Sequence, residues 1–360
     1  MRFIHTADLH RGAAPDAGKA WGSLRADAVR DSLARFVSLC NEEEVDLLLI
    51  AGDLFHRPPG QGELKEVDYL FSQLKHTKVA LIAGNHDFVR PGSAYGEHIF
   101  PENVYFLRSP RLSSLYFEEW NLSLYGFSYD GEVLKSDAML QFVPPRDGRL
   151  HLLLIHGGDR EHLPFKQAQL LQAGWDYVAL GHIHRPFLSG DGRIAMPGSP
   201  EPLDRTETGA HGYYLGEMEE HHFSLEWKPF SAFEYTDLKI NVTPDMTQEA
   251  LLALLKKRMK EDYSEVYRIL LTGRRDPALS FDLGALSRLG PVSEALDETL
   301  PEYDWEAIRQ RAEHDILLRT LKALSPEEGK DRDILNEKAL HYAMDALLAS
   351  DRRGSQEALK

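Results

Sequence analysis

A chain of 360 residues is long enough for one large core and a smaller appended domain or two. With 57 acidic against 41 basic residues and a formal charge of -16, it does not coat nucleic acid by bulk electrostatics, although bound cations and a few arginines can still grip a phosphate locally. No run approaches the ~20 apolar residues of a bilayer span, and a single cysteine, Cys40, leaves no intrachain disulfide, so the expectation is a cytoplasmic protein without signal peptide or membrane anchor.

In chain order, the first buried strand is expected at Phe3 to Ala7, followed by Asp8-Leu9-His10. Leu24, Ala28, Val29, Leu33, Phe36, Val37 and Cys40 then recur at helical spacing. A second strand, Val45 to Ala51, runs into Gly52-Asp53. Leu64, Val67, Leu70, Phe71 and Leu74 give a second helix, and the third strand, Val79 to Ala83, runs into Gly84-Asn85-His86-Asp87. Strand, helix, strand repeated in this way calls for helices against a mostly parallel sheet. From Val104 to Tyr129, and again from Arg193 to Phe230, shorter aromatic-rich strands separated by turns suit antiparallel pairing. Between them, Leu150 to Ile155 ends on His156, and Tyr177 to Leu180 is followed by Gly181-His182-Ile183-His184.

A new unit begins near Tyr235, with strands at Asp237 to Val242, Val266 to Leu271 and near Pro291, and a helix at Gln248 to Lys260. Asp304 to Leu324 and Asp333 to Leu348 are helical in period. Domain bounds of 1–232, 233–300 and 301–360 follow.

Each of the five buried strands ends on residue types that a divalent cation would need. Sites in open α/β sheets lie at the carboxyl ends of the strands, so all five motifs are expected in one crevice. Carboxylate, amide oxygen and imidazole without thiolate suit Mn²⁺ first, with Fe²⁺ or Zn²⁺ as alternatives. One carboxylate can bridge two such ions ~3.5–4 Å apart, the separation at which both clamp a phosphoryl group. A lone Asp-X-His or Gly-Asp is more often structural; five such elements in order, each at a strand end, are hard to reconcile with core histidines and capping aspartates.

The order Asp-X-His, Gly-Asp, Gly-Asn-His-Asp, His, Gly-His-X-His resembles that of the calcineurin-like metallophosphoesterases across residues 1–230. The resemblance implies a four-layer αββα sandwich with a small α/β capping domain and C-terminal helices. It implies that Asp8, His10 and His184 hold a first divalent ion, Asn85, His156 and His182 a second, and that Asp53 bridges them. His86 then faces the scissile phosphate as the candidate proton donor, with Asp87 orienting it. Gly52-Asp53-Leu54-Phe55-His56, Asp87 and Pro197-Gly-Ser-Pro-Glu-Pro-Leu203 are similar to SbcD-type DNA double-strand-break repair nucleases, and the whole length to their YhaO-like branch. That branch implies a DNA exo/endonuclease working with an SMC-like ATPase, with a homodimer as a further assembly and no membrane. His56 is either a handle on the DNA phosphate or a support for the ligands, and His5 is expected in the core or supporting a ligand.

Two other functions share these ligands: a phosphatase or phosphodiesterase for small molecules or phosphoproteins, and a non-catalytic subunit tethering DNA ends. An arginine follows each motif within a few residues, namely Arg11, Arg57, Arg90, Arg160 and Arg185. Converging with the motifs, these would ring the crevice and take flanking phosphates, less those paired with a nearby Asp or Glu. Finally, Ile334, Leu335, Ala339, Leu340, Tyr342, Met344, Leu347 and Leu348 form a broad apolar stripe. It either docks a partner or packs on the chain's own appended domain.

Overall fold

The computed structural model describes residues 1–136, 138–219, 222–260, 263–311, 316, 319–320, 323 and 338–347. The chain divides into two compact units, Met1–Tyr235 and Thr236–Lys360.

The first unit opens with β1 (Arg2–Thr6), α1 (Gly22–Glu42), β2 (Leu47–Ala51), α2 (Gln61–Phe71), β3 (Lys78–Ile82), α3 (Ala94–Glu97) and β4 (Val104–Phe106). It continues with β5 (Ser113–Phe117), β6 (Leu122–Gly126), β7 (Leu150–His156), α4 (Gln167–Ala173), β8 (Tyr177–Gly181), β9 (Phe187–Leu188) and β10 (Ile194–Met196). A hairpin of β11 (Gly212–Glu219) and β12 (His222–Pro229) follows. Two six-stranded sheets result, ordered β12-β11-β1-β2-β3-β4 and β5-β6-β7-β8-β10-β9.

Strand side chains alternate between faces, and here both faces are buried. Ile4, Leu48, Ile50, Val79 and Leu81 pack with Leu33, Phe36, Leu64 and Val67 of α1 and α2. Their neighbours Phe3, Leu47, Leu49, Ala80 and Ile82 meet Leu122, Leu124, Leu152, Leu154, Tyr177 and Ala179 of the second sheet. On the outer side of that sheet, Leu153, Ile155 and Val178 cover Leu170 of α4. This is the four-layer αββα sandwich.

The mostly parallel sheet expected from the first apolar runs is present as β1 to β4, and the sandwich adds a second sheet. β1, β2 and β3 lie in one sheet and β7 and β8 in the other. A strand buried on both faces reads as the same continuous apolar run in either arrangement, so the runs do not separate the two cases.

The second unit has β13 (Glu234–Val242, whose first two residues close the first unit), α5 (Gln248–Arg258), β14 (Glu265–Arg275), α6 (Leu283–Ser287), β15 (Val292–Asp297), β16 (Leu300–Pro301) and α7 (Trp305–Arg311). Thr247 caps α5 by accepting the Ala250 amide at 3.2 Å, and Lys256, Lys257 and Arg258 sit at its negative end. Leu251 and Leu255 bury against Ile240, Ile269 and Leu271 of the sheet. Of the C-terminal stripe, Leu340, Met344 and Leu347 pack on Tyr303, Trp305 and Ile308, while Tyr342 is exposed. Arg275 reaches Asp345 at 3.2 Å, and the Tyr303 hydroxyl donates to the same carboxylate. That part of the stripe covers the chain's own residues; Ile334, Leu335 and Leu348 lie outside the described residues.

Candidate metal centre

The loops after β1 and β2 run side by side beyond the strands themselves. The amides of Asp8, His10 and Arg11 donate to the carbonyls of Gly52, Asp53 and Leu54 at 3.1, 3.0 and 2.9 Å, and His56 returns a bond to Arg11 at 3.0 Å. This pairing fixes Asp8 and His10 relative to Asp53 before any side chain is considered. It also requires unusual backbone. Asp8, His10, Asp53 and His182 have φ of 55, 46, 51 and 103°, four of the nine described non-glycine residues with positive φ. Strain gathered on these four residues marks a site that the surrounding fold holds in place. At Gly84 a Cβ would lie 2.2 Å from an Asp53 oxygen and 2.7 Å from His156 Nε2, so only glycine lets the third loop approach so closely.

The residues expected as ligands come together from both sheets. His10 Nε2 lies 3.1 Å from His184 Nε2 and 3.6 Å from Asp53 Oδ2. His156 Nε2 is 3.4 Å from the same Asp53 oxygen and 2.9 Å from Asn85 Oδ1, and His182 Nδ1 is 3.1 Å from that amide oxygen. Ligand atoms of Asp8, His10 and His184 form one cluster, and those of Asp8, Asp53 and His156 another.

The donor chemistry fits cations at these positions. His182 already gives its Nε2–H to Asp159 at 2.8 Å, so its Nδ1 and the Asn85 oxygen are two acceptors facing each other with no hydrogen between them. Burial opposes charge on His156, yet the Asp53 and Asp8 carboxylates raise it to about 9, so this position favours positive charge. Burial also resists ionisation of Asp53, but the neighbouring imidazoles of His156 and His10 hold it well below the usual carboxylate range.

Beside this centre, His10, His56 and His86 form a third cluster. The rings of His56 and His86 stack at 5.4 Å, and His10 meets His86 edge-on at 4.7 Å. Both His56 and His86 are exposed.

Asp87 does not orient His86, and that expectation is corrected. Its carboxylate is fully buried and accepts two backbone amides, Gly84 at 2.7 Å and Phe55 at 3.2 Å. Instead, His86 Nδ1 donates to the His56 carbonyl at 3.3 Å, and the His86 amide donates to Asp53 at 2.9 Å. Asp87 spends both oxygens on two loop amides that would otherwise be buried unpaired.

Of the five arginines, Arg11 and Arg57 are paired with a carboxylate, as expected of some of them. Arg11 is 7% exposed; its guanidinium donates to the Arg30 carbonyl and lies 3.4 Å from Glu66, between α1 and α2. Pairing of its backbone with Phe55 turns the side chain that way. Arg57 pairs with Glu63 at 3.2 Å, and Glu63 also caps α2 through the Gly60 amide. Arg90, Arg160 and Arg185 are exposed, with Arg90 over the Phe88 ring and Arg185 on the Thr206 carbonyl. His5 is in the core, linking the two sheets: Tyr177 donates to its Nδ1 at 2.7 Å, and its Nε2 donates to the Leu180 carbonyl at 3.0 Å.

Three side chains at the centre escaped sequence reasoning. Asp159 and His162 stand beside His182, and Glu207 accepts from His184 Nδ1 at 2.6 Å. Asp159 could have been found as a carboxylate three positions after His156. Glu207 lies in a turn between strands with no motif around it, and only the fold brings it in.

A cluster of potential metal ligands at the carboxyl ends of strands from two packed sheets is the arrangement that metal-assisted phosphoester hydrolysis calls for. Residues 1–186 match the calcineurin-like phosphoesterase family, and the chain belongs to that family. Over 298 residues it is 28% identical to the "Uncharacterized metallophosphoesterase YhaO" of Bacillus subtilis, which covers 76% of this chain and 72% of that one. Over 259 residues it is 28% identical to the "DNA double-strand break repair protein Mre11" of Methanopyrus kandleri, covering 61% of this chain but only 54% of that protein. Among solved structures, a dimetal phosphatase from Danio rerio aligns over 64% of this chain and 96% of its own, at 15% identity and a TM-score of 0.38.

Proposed function

We propose that this phosphoesterase is a dinuclear-metal-dependent DNA exo/endonuclease of DNA repair. Asp8, His10 and His184 would hold one cation, Asn85, His156 and His182 the other, with Asp53 shared between them. Divalent ions held there, Mn²⁺ by preference, would supply polarisation of the phosphoryl group and a lowered pKa for water. The observation that carries the reading is the exposed, stacked His56–His86 pair beside the ligand cluster.

The chain's own part follows from that pair. His86 Nδ1–H stays on the His56 carbonyl, so Nε2 is the nitrogen that gives a proton to the leaving 3′ or 5′ oxygen. The ring then returns neutral with its Nδ1 bond unchanged. His56, stacked against it, supports the ring and contacts the phosphate. Arg90, Arg160 and Arg185 are the side chains left to take flanking phosphates. Likeness to a DNA double-strand break repair protein supports DNA as substrate; an SMC-like ATPase as partner, a homodimer, a cytoplasmic location and a capping role for the second unit belong to the same proposal.

Hydrolysis of linear duplex DNA, with Mn²⁺ and with Mg²⁺, tests the reading. The expected result is cleavage with Mn²⁺ and faster turnover of bis-p-nitrophenyl phosphate than of the monoester. A preference for the monoester with DNA left intact would make the chain a phosphatase.

A further inference from the structure

We propose that Glu207 is a positioning residue that fixes His184 as a cation ligand, and that Asp159 does the same for His182. The inference rests on the dinuclear reading above and concerns what sets the hold of each position on its ion.

The two histidines stand two residues apart yet use opposite ring nitrogens. His184 turns Nε2 toward His10 at 3.1 Å and gives Nδ1–H to Glu207 at 2.6 Å. His182 turns Nδ1 toward Asn85 at 3.1 Å and gives Nε2–H to Asp159 at 2.8 Å. A neutral imidazole has one bare nitrogen, and which one it is depends on the acceptor at the other. A carboxylate at that outer nitrogen selects the tautomer, blocks a ring flip and makes the inner nitrogen a stronger donor to a cation.

Both carboxylates are anchored independently of the histidine they serve. The second oxygen of Glu207 accepts the Leu203 amide at 2.8 Å, and His211 Nε2 reaches the Glu207 carbonyl at 3.2 Å. Asp159 Oδ1 accepts the amides of Glu161 and His162, each at 2.8 Å, and the His162 ring closes on it at 2.9 Å. Glu207 is the better shielded, at 15% exposure against 46% for Asp159, so its effect should be the larger. The turn that carries Glu207 follows directly on the Pro197–Leu203 segment, whose Ser199 amide lies 3.4 Å from the His184 carbonyl. That segment thereby gains a role, as the platform behind the first-ion histidine.

The test is calorimetric titration of Mn²⁺ into the metal-stripped full chain. Wild type should take up two ions. Glu207→Ala should weaken one of them by about 10–100-fold and leave the other unchanged. Glu207→Gln, which keeps an acceptor for Nδ1–H, should lose less. In a His184→Ala background the Glu207→Ala change should cost nothing further, because its effect runs through that ring. Asp159→Ala should weaken the other ion, with His182→Ala as its background. In the metal-free protein, above the imidazole titration range, ¹⁵N shifts should show His184 as the Nδ1–H tautomer in wild type and Glu207→Gln, and a mixture in Glu207→Ala. Two ions bound with unchanged affinities in Glu207→Ala, or a loss that persists in the His184→Ala background, would overturn the inference. Fewer than two ions in wild type would instead overturn the dinuclear reading beneath it.

Discussion

Asp87 accepts the backbone amide of Phe55 at 3.2 Å and so ties the loop after β3 to the loop after β2. Burial pushes its carboxyl up to about 7, the Asp53 carboxylate adds to this, and the Gly84 and Phe55 amides offset it only in part. In metal-free protein the folded state therefore keeps a proton that the unfolded state releases near the ordinary aspartate value of 3.8. The contribution of Asp87 itself to stability falls as pH rises between those two values, by up to about 1.4 kcal/mol per pH unit, while His5 and His182, which burial keeps neutral, contribute in the opposite sense. In denaturant unfolding in chelator between pH 4.5 and 6.5, the slope of stability against pH should be more positive in Asp87→Asn than in wild type by up to that amount. Equal slopes would mean that Asp87 ionises normally.

Asp53 stands between the two sets of proposed ligands, 3.6 Å from His10 and 3.4 Å from His156. Asp53→Ala should abolish binding of both ions, since it removes the negative charge that bridges them. Metal analysis finding two ions per chain in this variant would sink the bridge. His86→Asn should retain both ions while the rate of diester hydrolysis falls by roughly 10²–10⁴, as for a lost general acid. A wild-type rate would move proton donation elsewhere.

The arginines separate into two groups. Neutralising Arg90, Arg160 or Arg185 should weaken DNA binding and flatten the log–log salt dependence by about 1 for each phosphate left unneutralised. Arg11→Ala and Arg57→Ala should leave that slope alone, because their guanidinium groups are held by Arg30 and Glu66 and by Glu63. Fluorescence anisotropy at several salt concentrations distinguishes the groups; an altered slope for Arg11→Ala alone would reverse the assignment.

Met344 is fully buried against Tyr303 and Leu340 in the second unit. Met344→Ala should cost that unit about 2–5 kcal/mol in urea unfolding. Small-diester turnover, which depends on residues of the first unit, should stay at the wild-type rate. A cost below roughly 0.5 kcal/mol would mean that residues 338–347 do not pack as described.

Cys40 lies in the core on the buried face of α1, and burial pushes its thiol up to about 12. The native protein should resist a disulfide reagent at pH 8, with one thiol per chain reacting after denaturation. Rapid native labelling would show that α1 opens.

The residues that gather at the candidate metal centre were legible in the sequence because metal chemistry restricts residue type, and strand ends restrict position. Asp8, His10, Asp53, Asn85, His156, His182 and His184 each stand within a few residues of an apolar run, and local pattern alone is enough to find them. Apolar periodicity likewise located β1, β2, β3, β7 and β8 to within a residue or two. What it did not determine is which sheet each strand joins: Phe3 and Ile4 are equally apolar, and only the packed structure assigns one to the second sheet and the other to the helices. The same holds for polar partners. Whether Asp87 turns to His86 or to the amides of Gly84 and Phe55, and whether Arg11 faces a crevice or Glu66, depends on which unpaired groups the fold leaves nearby. Glu207 is the extreme case, 23 residues from His184 and joined to it by a single bond. A ligand's identity is a local property of the chain, whereas the groups that hold it in place are chosen by burial and satisfaction of polar atoms, which exist only once the two sheets have packed.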